Sequence, residues 1–69
     1  MTFKDHLKQV RRLHALITRK STGTPENLAL RLNVSRATVF RRIDDLRELG
    51  AEIAYDKNRQ SYIYITPLN

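Results

Sequence analysis

The chain has no cysteine and no tryptophan, and only two glycines, two prolines and one methionine in 69 residues. Without cysteine there can be no disulfide and no thiolate metal site, which leaves the redox compartment open. No apolar run approaches the roughly 20 residues needed to span a bilayer, and no signal-peptide core is visible, so a soluble, cytoplasmic chain is expected. Gly23 and Gly50 stand alone, so there is no glycine-rich phosphate loop. His6 and His14 are eight positions apart rather than one helical turn, and no carboxylate completes a metal site with them. Asp44, Asp45 and Glu48 belong on an exposed helical face with no apolar pocket to raise a carboxyl pKa. Neither an enzyme nor a metal or other cofactor is expected. The length allows one domain, residues 1–69, with a modest core.

What the chain does have is positive charge, with a formal net charge of +6 and a pI near 10.3. That balance implies an anionic partner, although a basic surface can also serve solubility alone. The charge is unevenly placed. Residues 1–23 carry Lys4, Lys8, Arg11, Arg12, Arg19 and Lys20 against Asp5 alone. Residues 24–34 and 51–69 each balance to zero, and residues 35–43 hold Arg36, Arg41 and Arg42 with no acid.

Hydrophobic periodicity supplies the elements. Phe3, Leu7, Val10, Leu13 or His14, and Ile17 recur at helical spacing and predict an amphipathic helix over about 3–19, broken by Ser21-Thr22-Gly23. Thr24 caps a second helix over about 25–32, with Pro25 at its first position, where a missing N–H costs nothing. Asn33 and Val34 form a tight turn, with Val34 directed into the core. Ser35 caps a third helix over about 35–49, its oxygen accepting from the N–H of Ala37 or Thr38. Val39, Ile43 and Leu46 are its buried stripe, and Gly50 is its left-handed stop. The period then changes. Glu52 to Tyr55 and Ser61 to Ile65 are β-rich runs separated by Asp56-Lys57-Asn58-Arg59-Gln60, which predicts an antiparallel hairpin over about 52–65 closed by Pro67. A one-residue β-bridge near Thr22 would supply a third strand. The expected fold is α+β, a winged helix-turn-helix with a three-helix core followed by a β-hairpin wing.

The third helix carries the candidate chemistry. With Val39 and Ile43 facing inward, 100° per residue puts Ala37, Arg41 and Asp44 on the opposite side, flanked by Thr38, Phe40 and Asp45. A capped helix with arginines in its first two turns suits the DNA major groove. Arg41 is the first candidate for a base edge, since a guanidinium can fork onto guanine O6 and N7; the competing role is an intrahelical pair with Asp45. Arg36 and Thr38 can reach bases or phosphates, and the Ala37 methyl can meet a thymine methyl. Ser35 and Arg42 are expected to hold the DNA backbone, with Arg42 near the boundary with the second helix. Phe40 either packs on the first helix or the wing, the favoured reading, or touches DNA sugars and methyls. Lys57, Asn58 and Arg59 form either a phosphate or minor-groove contact or an ordinary polar turn. Arg11 and Arg12 either meet phosphates or, the reading preferred, are the solvated side of their helix.

The run from Ser35-Arg36-Ala37-Thr38-Val39-Phe40-Arg41-Arg42-Ile43 through Asp44-Asp45-Leu46-Arg47-Glu48-Leu49-Gly50 is followed by Ala51-Glu52-Ile53-Ala54-Tyr55-Asp56 and Ser61-Tyr62-Ile63-Tyr64. From about Val10 to Ile65 the chain resembles the N-terminal winged helix-turn-helix of bacterial WYL-domain transcriptional regulators, with kinship to the DNA-binding domains of the DeoR family and the biotin repressor. The resemblance implies sequence-specific binding of double-stranded DNA in transcription regulation. It places Ser35, Arg36, Thr38 and Arg41 at the recognition helix and the 57–60 loop at the wing. Two departures stand out. The family commonly has an acid at Arg42, and a glycine before the strand tyrosine, where this chain has Gln60 and Ser61. Nothing follows the wing, so if Met1 and Asn69 are true ends, no small-molecule sensor domain is expected in this polypeptide.

The expected partner is therefore double-stranded DNA, with a cytoplasmic, nucleoid-associated location and no membrane. The competing reading is a winged helix used for protein–protein interaction through the wing and basic surface. It is motivated by the second strand, where Tyr62 and Tyr64 face one way and Ile63 and Ile65 the other, so both faces are apolar. A homodimer through the hairpin or the first helix would serve either reading, since paired modules read two half-sites. RNA fits less well, because A-form grooves do not admit a helix this way.

Overall fold

The computed structural model describes residues 2–65, so the expected role of Pro67 lies outside the described residues. The element order is α1 (Phe3–Thr18), α2 (Pro25–Leu32), α3 (Arg36–Glu48), β1 (Ile53–Asp56) and β2 (Ser61–Tyr64). Three helices followed by an antiparallel hairpin form the winged helix-turn-helix expected from the sequence.

All three helices begin in the same way. The hydroxyls of Thr2, Thr24 and Ser35 accept from the backbone N–H of Asp5, Asn27 and Thr38 at 3.2, 3.3 and 3.2 Å, each relieving one of the unpaired donors of a first turn. At Thr2 the Asp5 carboxylate also faces the cap N–H, completing a capping box. They also end in the same way. Lys20, Asn33 and Gly50 adopt positive φ, at 58°, 57° and 101°. The following N–H groups of Ser21, Val34 and Ala51 reach back to the carbonyls of Leu16, Ala29 and Leu46. This is the Schellman closure, in which a left-handed residue turns the chain off the helix axis and satisfies its last carbonyls. At Asn33 it sets α2 and α3 at an angle across a two-residue turn.

The apolar faces meet in one core. Leu13 and Ile17 of α1, Leu28, Ala29 and Leu32 of α2, and Val39, Ile43 and Leu46 of α3 are buried with Ile53 and Tyr62 of the hairpin. Val34 is half-buried and packs against this cluster. The hairpin register pairs Ile53 with Tyr64, Ala54 with Ile63, Tyr55 with Tyr62 and Asp56 with Ser61. Alternation turns Ile53, Tyr55, Tyr62 and Tyr64 toward the helices. On the other face Ala54 and Ile63 are only half-buried, and Ile65 beyond β2 is exposed. Tyr55 and Tyr62 meet edge-on with ring centroids 5.1 Å apart, and the Tyr64 hydroxyl lies 2.6 Å from His14 Nδ1 on α1. The Arg47 guanidinium donates to the Ile53 carbonyl at 3.1 Å, fastening the end of α3 to the wing.

The described residues contain no third strand at Thr22. Its place is taken by a side-chain clasp between two fully buried residues. The Thr22 N–H donates to Ser61 Oγ at 3.0 Å, and the Tyr62 N–H donates to Thr22 Oγ1 at 2.9 Å. Hydroxyls replace the carbonyl–amide pair of a bridge, so the loop between α1 and α2 grips the wing without lying parallel to it.

Two expectations follow. In Thr22→Val the Tyr62 N–H keeps its burial and loses its acceptor, which costs about 1–3 kcal/mol, whereas Thr18→Ala on the exposed side of α1 changes little. For a chain this short, each 1 kcal/mol corresponds to roughly 4–8 °C in Tm, so thermal melting separates the two variants; equal melting temperatures would refute the clasp. Burial pushes the Tyr64 phenol up from its usual value, and burial followed by the neighbouring Tyr55 does the same at Tyr62. The unfolded chain therefore releases these protons first, so the contribution of these two tyrosines to stability is constant below about pH 10 and falls as pH rises beyond it. Denaturant midpoints measured across that range test the sign, and the fall should be shallower in Tyr64→Phe.

Candidate nucleic-acid interface

Helix α3 presents its open side because Val39, Ile43 and Leu46 hold the other side in the core. Ser35, Arg36, Ala37, Phe40, Arg41 and Asp44 are exposed, and Thr38 is half-buried. The Thr38 hydroxyl lies 3.0 Å from that of Ser35, so the two side chains form a small hydroxyl pair at the cap. The N–H groups of Arg36 and Ala37 lie in the uncapped part of the first turn, where a helix favours an anion.

The arginines of α3 differ sharply in their surroundings. Arg41 is exposed and has no hydrogen-bond or ion-pair partner among the described residues. The competing intrahelical pair with Asp45 does not form, because Asp45 faces His6 and Arg42 instead. Arg36 lies 3.4 Å from Glu26 at the start of α2, and its guanidinium carbon stands 6.0 Å from the centre of the Phe40 ring. Both partners are exposed, so this arrangement is worth no more than about 1 kcal/mol and yields to a stronger anion. Phe40 was favoured to pack on α1 or the wing; the contact it shows is with Arg36. It is 42% exposed, lies outside the core cluster and forms an apolar patch beside Arg36.

Arg42 corrects the sequence reading most. It was expected on the DNA backbone near α2, yet it is 8% exposed and turned toward α1. There its guanidinium donates to the His6 imidazole and sits 3.3 Å from the Asp45 carboxylate, which is also 3.3 Å from His6 Nε2. His6, Arg42 and Asp45 thus form a polar joint between α1 and α3. The i,i+3 spacing of Arg42 and Asp45 was readable in the sequence. The participation of His6, 36 positions from Arg42, carried no local signal.

In the wing, the Asp56 carboxylate accepts from the N–H groups of Asn58 and Arg59 at 2.9 and 3.3 Å and lies 3.4 Å from Arg59 Nε. Gln60 then takes φ 50°, the left-handed conformation that glycine adopts most readily. The turn thus keeps the backbone shape that glycine would favour, at a steric cost, and leaves Lys57, Asn58 and Arg59 exposed. Lys57 has no ion-pair partner among the described residues. Toward its C-terminus α3 becomes acidic. Asp44 pairs with Arg47 at 3.3 Å and Glu48 is exposed, which confines the basic surface to the first two turns.

Arg42→Ala should lower the melting temperature by several degrees through the lost α1–α3 joint and leave the salt dependence of duplex binding unchanged. Arg41→Ala should do the reverse. Melting curves and salt titrations on both variants check this, and a reduced salt slope in Arg42→Ala would return that residue to the interface.

No helix among the described residues is long and apolar enough to cross a membrane. No curated protein and no solved structure matched the chain. A family model described as an HTH domain matches residues 8–63, a span that takes in most of α1, the α2–turn–α3 unit and nearly all of the hairpin. The chain belongs to the helix-turn-helix domain family, a DNA-binding kind of domain.

Proposed function

We propose that the chain binds double-stranded DNA sequence-specifically as a small transcription-regulator-like protein, with no catalytic activity of its own. Helix α3 enters the major groove, and the 57–60 turn lies on the backbone or in the adjacent minor groove. Arg41 carries this reading: an exposed guanidinium without an acidic partner, on the outward face of a helix whose opposite face is buried. The 13 residues of α3 span about 20 Å, enough to lie across a major groove about 12 Å wide.

The roles divide by reach. Arg41 forks onto a guanine edge. Arg36 exchanges Glu26 for a phosphate or a base, with the Ala37 methyl and Thr38 hydroxyl beside it. Ser35 and the first-turn N–H groups hold a phosphate. Lys57, Asn58 and Arg59 add contacts that do not depend on sequence. The resemblance to WYL-domain and DeoR-family regulators supports the same assignment, and a nucleoid-associated location in the cytoplasm follows from it.

Selection of bound sequences from a random duplex library, followed by anisotropy titration of the selected site, tests the proposal. Affinity should fall with salt at a slope of about −0.9 per neutralised phosphate. Arg41→Ala should abolish the preference for the selected site, at a cost of about 1–3 kcal/mol, while Lys57→Ala and Arg59→Ala weaken all duplexes alike. Absence of duplex binding at low salt would refute the proposal, and an unchanged preference in Arg41→Ala would refute the base-reading role.

A further inference from the structure

Besides Arg41 and Lys57, the described acids leave the cations along α1 without a carboxylate partner. Glu26 faces Arg36, Asp44 faces Arg47, Asp45 faces Arg42 and Asp56 faces Arg59. Asp5, the one acid of α1, is turned to the Thr2 cap. On α1 and its cap residue, Lys4, Lys8, Arg11, Arg12 and Arg19 are all exposed, and none has a carboxylate partner among the described residues. At 100° per residue these five side chains fall within an arc of about 100°, opposite Leu13 and Ile17 in the core. They form a straight cationic stripe about 22 Å long, fixed on a capped helix and interrupted only by the small side chain of Ala15.

The stripe does not share a face with Arg41. Helix α1 meets α3 through the buried core and through the His6–Arg42–Asp45 joint, and the stripe lies on the side of α1 opposite Leu13, Ile17 and His6, whereas Arg41 lies on the side of α3 opposite Val39 and Ile43. A duplex held in its groove by α3 therefore leaves the stripe in solvent. We propose that the outer face of α1 is a second DNA-binding surface, which takes the phosphate backbone of another duplex and lets one molecule bridge two DNA segments. The inference rests on α3 occupying the first duplex. The chemistry suits a polyphosphate rod. Duplex DNA carries a charge about every 1.7 Å, so a rigid line of cations releases several condensed counterions without reading any base. A lipid surface fits less well, because Leu13 and Ile17 of α1 are buried in the core, the exposed Phe3 and Leu7 lie outside the arc of the stripe, and the stripe itself has no large apolar residue to insert.

The test uses the full chain with two short duplexes, one immobilised and carrying the selected site, the other fluorescent and of unrelated sequence. The variant is Lys4→Gln with Lys8→Gln and Arg11→Gln, its folding checked by thermal melting. The parent should retain the fluorescent duplex on the beads. The variant should bind the immobilised duplex within about threefold of the parent yet capture at least about tenfold less of the second, and added salt should release the second duplex with a slope of about −0.9 per phosphate contact. Equal capture by parent and variant would overturn the proposal, because bridging would then come from two joined copies each using α3. Failure of the parent to capture the second duplex while it binds the first would also overturn it. So would an equal loss of both duplexes in the variant, which would place the stripe on the first duplex. If the parent does not bind even the immobilised duplex, the α3 reading falls together with this one.

Discussion

The exposed side of α3 depends on the burial of its other side. Val39, Ile43 and Leu46 sit against α1 and α2 with almost no exposure, and that contact fixes the rotation of the helix about its axis. A rotation of one residue, about 100°, would turn Arg41 aside and bring a charged group into the core. Because an interior charge without a partner is strongly unfavourable, this rotation is resisted by electrostatics as well as by packing. Arg42 shows how the chain accommodates the one charge that falls on the buried side: His6 and Asp45 supply an acceptor and a countercharge at the seam between α1 and α3.

A second constraint is the economy of the connections. Each helix begins at one hydroxyl and ends at one left-handed residue, so three short helices are delimited with few loop residues. A small chain has little apolar area with which to offset the ordering of long loops. The Thr22–Ser61 clasp and the Arg47–Ile53 bond do similar work for the wing, since an isolated two-stranded hairpin is marginal in water. The wing therefore holds its position through bonds to the ends of α1 and α3 rather than through a wider sheet.

The partition of charge follows from these placements. Most of the acids lie on or beside α3 and the wing, where Glu26, Asp44, Asp45 and Asp56 each face an arginine. Helix α1 has one acid, turned to its own cap. The resulting surface is asymmetric in pairing as well as in sign. Arg41 and Lys57 are the unpaired cations of the α3 and wing surface, and the α1 stripe is unpaired throughout among the described residues.

Much of this was legible in the residues alone, wherever the signal is local. Periodicity named the faces of α2 and α3 and that of α1 from Val10 onward, although Phe3 and Leu7 of the same stripe are exposed; Thr24, Ser35 and Gly50 marked ends that differ by a residue at most, and the Asp56–Gln60 stretch marked the turn. These features act over one or two helical turns, and their physics is complete within a short window. The outward position of Arg41 is of this kind, since it follows from Val39 and Ile43 on the same helix. Contacts between elements far apart in the chain left no such trace. Nothing near Arg42 announced His6, nothing near Thr22 announced a hydroxyl clasp in place of a β-bridge, and Phe40 read as packing because its neighbours in space were unknown. For Gln60 the chain supplied the residue and the fold supplied the strained φ. Sequence pattern thus settles which side of a helix is wet, because 3.6 residues per turn is a property of the helix itself. Which polar groups meet across the core depends on how three helices and a hairpin close on one another, and that closure exists only in the folded chain.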